Sequence, residues 1–556
     1  MNSQSEHEES PADHPELPLA AGALSRARAL SLHNTLHTDT GTAVLDQVIR
    51  HAKNDPDRHA VVDGERSLSY RGLLGRVATA RQALLSHGVR AGDVVAAVGP
   101  RSADTPVVFL ALESLGASYL PIDPAWPEIR VRDVLDRSRV AVLLDYSGAG
   151  SGAARAAAES ERITVVRLPA ESEAGELPRR SVTDRAGEAR YTIFTSGTTG
   201  RPKGATIEHR GLLNHLWSKV ADLSLDSRDA VAFTAPLVFD ISIWQMLCPF
   251  LVGGRVVVVN DAVTRMPRWL LGTLEDTGVT VAELVPTVIG WLVDETRHQG
   301  GDALGKLRWL LSTGEELYPA AAARILDAFP QVSLVNAYGP AECSDDVTLH
   351  VVTSADLARR RLPVGSPVAN NSLYVLAQGE DGTWRAAEPG ETGELFVGGT
   401  GVGLGYLNDP DTTGRAFFRD PFDPASPTGR LYRTGDLARF DEGLVYYLGR
   451  KDRQVKVTGV RMELDEIEAV LSRHPGIGQC AVTVSDDGGL SELVAHYTLS
   501  APVPQQELQD ALSAALPPPM VPRRWREWDS LPLSRNGKID HRSLQATTAI
   551  SRNEAP

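Results

Sequence analysis

Short apolar runs recur along this chain, and each is separated from the next by a stretch with helical spacing. Residues 94–98, 141–144, 256–259 and 394–397 are such runs, each bounded by Gly, Asp or Asn. Residues 73–87 place apolar side chains at helical intervals and stop at Gly88. Strand and helix in alternation predict an α/β fold, with layered helices and largely parallel sheets. With 556 residues the chain is long enough for several core-bearing units, and no repeat of fixed period is present.

Three segments are expected. Residues 1–40 are rich in Glu, Pro, His and Ala and read as a flexible tail. Residues 41–451 carry the alternation and form a large N-terminal domain of layered α/β subdomains. Residues 452–556 read as a small, mobile α+β domain. Its entrance, Gly449-Arg-Lys-Asp-Arg-Gln-Val-Lys-Val-Thr-Gly459, is highly charged and bounded by glycines. A helical pattern follows over residues 463–474, acidic at its start and ending in Arg473 and His474 before Pro475, as the helix dipole favours. Strand-like runs at residues 480–484 and 493–497 come next, then the breaker at Pro517 to Pro519 and a polar turn around Arg535-Asn-Gly-Lys538.

Charge and composition exclude several classes. The formal charge is −15 with no long basic stretch, which argues against general nucleic-acid binding. No run of eighteen apolar residues is present, so no transmembrane helix is expected. The acidic N-terminus lacks a secretory signal. Cys248, Cys343 and Cys480 are too scattered for a disulfide framework or a metal knot. A cytoplasmic protein is the simplest reading.

The sharpest chemical signal is Tyr191-Thr-Ile-Phe-Thr-Ser-Gly-Thr-Thr-Gly-Arg-Pro-Lys-Gly204. A strand-like tetrad leads into glycines and hydroxyls, then Lys203. Glycines let backbone N–H groups approach phosphate oxygens, hydroxyls add donors, and lysine adds charge. The Walker A spacing is not met. Taken alone, the stretch reads equally as a phosphate loop or as a flexible surface loop.

Further stretches settle on one side. Phe239-Asp-Ile-Ser-Ile-Trp244, Asn336-Ala-Tyr-Gly-Pro-Ala-Glu342, Tyr432-Arg-Thr-Gly-Asp-Leu437, the hinge-like residues 449–468, and Asn536-Gly-Lys-Ile-Asp540 follow in order. Together they resemble the core motifs of the adenylate-forming superfamily, and above all the adenylation domains of non-ribosomal peptide synthetases. The resemblance spans residues 44–545.

It implies an ATP- and Mg²⁺-dependent ligase that makes an aminoacyl-adenylate. Thr195, Ser196, Gly197, Thr198, Thr199, Gly200 and Lys203 would wrap the β- and γ-phosphates. Glu342 would hold Mg²⁺. Gly314 and Glu315 would lie beside the adenine and Tyr338 would stack on it. Asp436 would accept from the ribose hydroxyls, with Arg450 assisting. Lys538 would bridge the substrate carboxylate and the α-phosphate. Asp452 would be the hinge for a swing of the small domain that removes Lys538 and presents Lys456 and Gly459 for thioester formation. The chemistry fits these residue types: a carboxylate must attack the phosphorus of another anion, so positive charge and alignment do most of the work. Three positions depart from the family pattern. Ala341 stands where Thr is usual, Thr458 where Arg is common, and His541 where Arg is common.

The same resemblance implies the substrate pocket. Asp240 would pair with the ammonium of an α-amino acid. Ile241, Trp244, Glu283, Leu311, Thr313, Ala337, Asp345 and Asp346 would line the side-chain pocket. Three acids beyond Asp240 are costly to bury unpaired, which favours a cationic substrate: lysine, β-lysine, ornithine, arginine or a cyclic guanidino relative. A neutral polar side chain bonded to Glu283 is the next choice. No Leu-Gly-Gly-x-Ser carrier segment follows Leu544, so the expected acceptor is the phosphopantetheine thiol of a separate carrier protein. A small MbtH-like partner would bind near residues 423–434. The rivals are an acyl- or aryl-CoA ligase, an amide ligase using the adenylate directly, and a non-catalytic nucleotide-binding scaffold. The scaffold would require loss of Lys203, Glu342, Asp436 or Lys538, and all four are present.

Overall fold

The computed structural model describes residues 14–36, 38, 41–148, 150–170, 185–196, 201–299, 303–487, 490–533 and 539–550. Two sheets follow from the alternation in the sequence. One runs in the order Gly405–Tyr406, Lys203–Glu208, Ala189–Thr195, Ser118–Ile122, Val94–Val98, Val142–Asp145, Thr164–Arg167. Its neighbours from Ala189–Thr195 onward are parallel. The other has nine strands. Its central six, Ser333–Tyr338, Trp309–Ser312, Val281–Leu284, Ala230–Phe233, Arg255–Val258 and His59–Asp63, also run parallel.

A layer of helices lies between these sheets, including Asp104–Leu115, His209–Asp222 and Ile241–Val252. Their side chains share one core with Val95 and Tyr191 from the first sheet and Val231, Val256 and Leu311 from the second. A helix covered on both sides has no face left for polar residues. The helix Asp104–Leu115 accordingly is buried from Thr105 to Leu115. Other helices close the outer faces: Glu128–Ser138 and Gly152–Ala158 over the first sheet, and Pro267–Asp276, Pro286–Gln299 and Pro319–Ala328 over the second. The outcome is a five-layer α/β stack.

A third sheet departs from the expected parallel pattern. The run at residues 394–397 lies in Gly393–Gly399, which pairs antiparallel with Asn371–Gln378 on one side and Arg430–Asp441 on the other. Asn371–Gln378 reaches Gly393–Gly399 through the short strand Trp384–Ala386, without the helical crossover that parallel pairing would need.

The expected tail also differs over its described part. Residues 14–36 pack against this third sheet. Leu32–His33 adds to it as an edge strand. Helix Ala23–Leu30 sets Ala27 into a cluster with Tyr374, Trp384, Phe396, Phe422 and Leu431, and Leu17 joins the same cluster. Arg26 pairs with Glu388, Glu16 pairs with Arg419, and Arg28 donates to the Phe422 carbonyl at 2.6 Å. Low complexity concealed the few apolar residues that anchor the segment.

The small domain begins with the hairpin Gln454–Val457 and Val460–Glu463. Helix Leu464–Leu471 follows, then the strands Ile477–Asp487, Leu490–Leu499 and Arg524–Glu527, with helices Gln505–Ser513 and His541–Ile550. Among the described residues no helix is long and apolar enough to cross a membrane.

Candidate active site

In open parallel sheets, ligands collect where the strands end at their carboxyl termini. The expected site residues gather at such ends. Glu283 ends Val281–Leu284, opposite Leu311 of Trp309–Ser312, and Ala337 and Tyr338 end Ser333–Tyr338. Asp240 caps the N-terminus of helix Ile241–Val252 by accepting from its first N–H, and Trp244 lies one turn further on.

The hydroxyl- and glycine-rich stretch joins two antiparallel strands, with Thr195 opposite Lys203. Gly197, Thr198, Thr199 and Gly200 lie outside the described residues, as does Lys538. Lys203 leaves this loop toward Tyr406 and Glu342. Its Nζ donates to the Tyr406 hydroxyl at 3.0 Å and lies 3.5 Å from Glu342 Oε1.

Glu342 is fully buried on a single 3-10 turn, Ala341–Cys343. Tyr406 donates to its Oε1 at 2.8 Å, and Arg461 Nη1 donates to its Oε2 at 2.9 Å. Burial alone would raise its pKa, but Arg461 and Lys203 outweigh it and hold the carboxyl well below the usual range. The turn is tight. A Cβ on Gly339 would stand 1.8 Å from the Asp345 carbonyl oxygen, so only glycine fits there.

Tyr338, Asp436 and Arg450 form a second group. Tyr338 donates its hydroxyl to Asp436 Oδ2, with its ring 5.8 Å from that of Tyr447. Arg450 reaches Asp436 at 2.8 Å and grips Asp452 with two nitrogens, at 2.7 and 2.8 Å. The expected hinge residue is therefore tied to the residue expected at the ribose. Glu315 accepts from the Thr287 hydroxyl at 2.7 Å and from the Gly459 N–H at 2.9 Å.

That last bond belongs to a docked hairpin. The strands Gln454–Val457 and Val460–Glu463 enter the cleft of the large domain, with the turn Thr458-Gly459 against Gly314 and Val285. Besides Arg461 on Glu342, the Arg461 carbonyl accepts from the Ser196 hydroxyl at 3.2 Å. Lys456 faces the cleft within electrostatic reach of Asp436 and Asp240, and its side chain stays open to solvent. A buried ion pair of 2.6 Å, Arg130 with Glu466, fastens the following helix to the large domain.

Behind Asp240 the expected pocket residues do come together, with a cation among them that the sequence did not single out. Lys219, fully buried on His209–Asp222, lies 2.5 Å from Asp346 Oδ2 and 3.5 Å from Glu283 Oε2. Its Nζ stands 4.7 Å from the centre of the Trp244 ring. Trp244 Nε1 donates to Glu283 Oε2 at 2.6 Å, and Thr313 donates to Asp346 Oδ1 at 3.4 Å. Burial works against the Lys219 charge, but Asp346 and Glu283 hold it protonated above the usual lysine range. His215, one turn before Lys219, lies 3.4 Å from Asp345, and burial pushes its pKa down to about 3, leaving it neutral.

The carboxylates remain in surplus. Burial pushes Glu283 up to about 8 against the pull of Lys219, and Asp240 up to about 6 against that of Lys456. Asp345 is raised well above its usual value by burial and by Asp346. Glu283 Oε1 and Asp345 Oδ2 are buried without a hydrogen-bond partner among the described residues. Ile241 and Leu311 supply apolar wall in the same core.

A signal for Lys219 was present. Leu212, His215, Leu216 and Lys219 fall at helical spacing on one face, so the lysine sits in an apolar stripe. Arg461 and Tyr406 carried none, since nothing in their local sequence ties them to Glu342.

Similar proteins agree with this architecture. The family described as AMP-binding enzyme matches residues 48–407, and the AMP-binding enzyme C-terminal domain matches residues 466–538. Malpibaldin synthetase of Mortierella alpina is 35% identical over 501 residues, covering 88% of this chain and 9% of its own length. Tyrocidine synthase 3 of Brevibacillus parabrevis is 32% identical over 536 residues, covering 95% of this chain and 8% of that protein. The chain thus spans less than a tenth of these two relatives. Among solved structures, holo-PA1221, an NRPS protein containing adenylation and PCP domains, superposes with a TM-score of 0.78 at 30% identity, over 91% of this chain and 84% of that one. Motif order, layered fold and these likenesses converge: the chain belongs to the AMP-binding enzyme family.

Proposed function

We propose that this enzyme activates a basic amino acid as its adenylate and passes the acyl group to the phosphopantetheine thiol of a separate carrier protein. The observation that carries the substrate reading is the charge balance of the pocket. Glu283, Asp345 and Asp346 surround one buried lysine, the nearby histidine is neutral, and Asp240 at the mouth lies within electrostatic reach of Lys456. Asp240 takes the α-ammonium at the pocket mouth. A side-chain cation further in relieves the cost of the remaining surplus.

In the first half-reaction Lys203 and the Thr195–Lys203 loop neutralise and orient the phosphates. Asp436 and Arg450 hold the ribose and Tyr338 the adenine. Lys538 draws the substrate carboxylate and the α-phosphate together. Glu342 suits Mg²⁺, which prefers hard oxygen ligands and commonly keeps one or two carboxylates with phosphate and water. The ion would add positive charge to the phosphates when bound. Arg461 holds Glu342 in the docked state, so it must withdraw for that. The docked hairpin, with Lys456 and Gly459 in the cleft, supports the thioester-forming half of the cycle. Asp452 then serves as the hinge between the halves. An acceptor on a carrier fits the description of holo-PA1221, which contains adenylation and PCP domains. Residues 423–434 are where an MbtH-like protein is to be sought.

The test is amino-acid-dependent ATP–pyrophosphate exchange over the standard amino acids, β-lysine, ornithine and guanidino analogues, with and without an MbtH-like protein. Exchange with a basic amino acid, reduced at least a hundredfold in Asp240→Ala and in Lys538→Ala, is expected. Exchange confined to neutral or acidic amino acids overturns the substrate reading. No exchange, with CoA-dependent turnover of simple acids, overturns the reaction.

A further inference from the structure

A lysine on the apolar face of a buried helix is costly unless something needs it there. Lys219 lies at the inner end of the amino-acid pocket, and its ammonium takes up Asp346 and shares Glu283. Its position along the pocket follows from helix Ile241–Val252. Asp240 stands at the N-cap, Trp244 four residues on, and Lys219 Nζ lies over the Trp244 ring. Four residues of helix advance about 6 Å. The resident ammonium therefore lies at the Trp244 end of the pocket, beyond the carboxylate expected to hold the substrate's α-ammonium.

Resting on the basic-substrate reading above, we propose that Lys219 is a specificity-determining residue that limits the length of the substrate's side chain. It occupies the innermost carboxylates, so an incoming cation stops earlier, at Glu283 Oε1 and Asp345 Oδ2. These are the two buried pocket oxygens without a hydrogen-bond partner among the described residues, with Nε2 of the neutral His215 standing 3.4 Å from Asp345 Oδ2. A short cationic side chain, of ornithine length or less, is the one this arrangement is proposed to admit. A longer one, as in lysine or arginine, brings a second cation against the Lys219 ammonium, and that like-charge contact in a poorly hydrated site opposes binding. Lys219 thus turns a generally acidic pocket into one that discriminates among cations by reach.

The experiment measures kcat/KM for exchange with 2,3-diaminopropionate, ornithine, lysine and arginine. It compares the wild type, Lys219→Met, and the double variant Lys219→Met/Asp346→Asn. Methionine keeps the length and apolar bulk of the lysine stem, and the double variant leaves no partner of the pair charged and alone. It serves where the single variant fails to fold, as judged by a thermal melt. The wild type is expected to favour ornithine or the shorter acid over lysine at least tenfold. The variants are expected to shift that ratio toward lysine at least tenfold, and Lys219→Arg to restore the preference for short chains. A structural role alone would lower all four rates together and leave the ratio unchanged. If the wild type accepts basic amino acids but the ratio stays within threefold in a folded variant, the length limit is overturned and the basic-substrate reading stands. A wild type that answers only to neutral or acidic amino acids overturns that reading, and with it this proposal, before any variant is examined.

Discussion

Two buried carboxylate groups lie close together in the cleft, on either side of residues 342–346, and their charge balance is opposite. At Glu342 one carboxylate meets Arg461, Lys203 and the Tyr406 hydroxyl. Behind Asp240, three carboxylates share Lys219, which pairs with Asp346 and Glu283. The pKa values follow the balance: Glu342 is held below the usual range, whereas Glu283 is pushed up to about 8. The first arrangement suits polyanionic phosphates and the second suits a cation. A short backbone segment separates them, containing Ser344 and Asp345 at positive φ of 67° and 84°. Two adjacent non-glycine residues in that region carry conformational strain, and here it lets neighbouring side chains serve opposite electrostatic environments.

The largest test of the comparison removes an acid from each side. Glu342→Ala leaves Arg461 and Lys203 buried without their shared counter-charge, and breaking a buried pair from one side costs about 3–5 kcal/mol. Asp345→Asn removes an acid whose proton burial already retains, so its cost is expected to be under about 1 kcal/mol. Denaturant unfolding of both variants reads the difference. Equal costs would mean that the two groups do not differ in balance.

Sequence made one side of this comparison more legible than the other. Lys203, Glu342 and Asp436 stand in ordered motifs, and Lys203 opens the strand that follows the glycine-rich stretch. The acidic surplus was equally visible from Asp240, Glu283, Asp345 and Asp346. Its resident cation was harder to see, because Lys219 lies in no motif and reaches the pocket from a helix that supplies no other expected pocket residue. Arg461 was illegible for a different reason. Its contact with Glu342 spans 119 positions and depends on how the small domain docks. The packing of residues 14–36 was missed because a few apolar residues in polar sequence suffice when an existing sheet edge receives them.

Acidity supplies the next test. The Glu283 carboxyl has a higher pKa folded than unfolded, so the native state binds more protons between about pH 4.5 and 8. Stability from this group is present in full at the acidic end and falls as pH rises to about 8, by up to about 1.4 kcal/mol per unit. Asp240, raised to about 6, adds to the same trend over its lower part. Glu342, held low, has the opposite sign: its contribution is present above the ordinary glutamate pKa and is lost on acidification. Unfolding free energies from pH 4.5 to 8.5 should therefore fall with pH in the wild type and fall less steeply in Glu283→Gln. An unchanged slope in that variant would remove Glu283 from the acidic surplus.

The smallest effect concerns the hairpin that crosses from one group to the other. Its two-residue turn, Thr458-Gly459, joins Val457 to Val460, and both turn residues have positive φ, 51° and 76°. Such primed turns match the twist of the paired strands and favour Asn-Gly, because a β-branched residue is poorly accommodated there. Gly459 cannot be exchanged, since an added Cβ would come within 2.4 Å of Val285 Cγ1. Thr458 is exposed and free of that constraint, so Thr458→Asn is expected to stabilise the turn by about 1 kcal/mol. If docking of this hairpin favours thioester formation, that gain should appear as an up to fivefold rise in transfer to a carrier thiol, with pyrophosphate exchange unchanged. A rise in both rates would tie the turn to overall stability, and a fall in transfer would show that the threonine hydroxyl or methyl is itself used by the incoming acceptor.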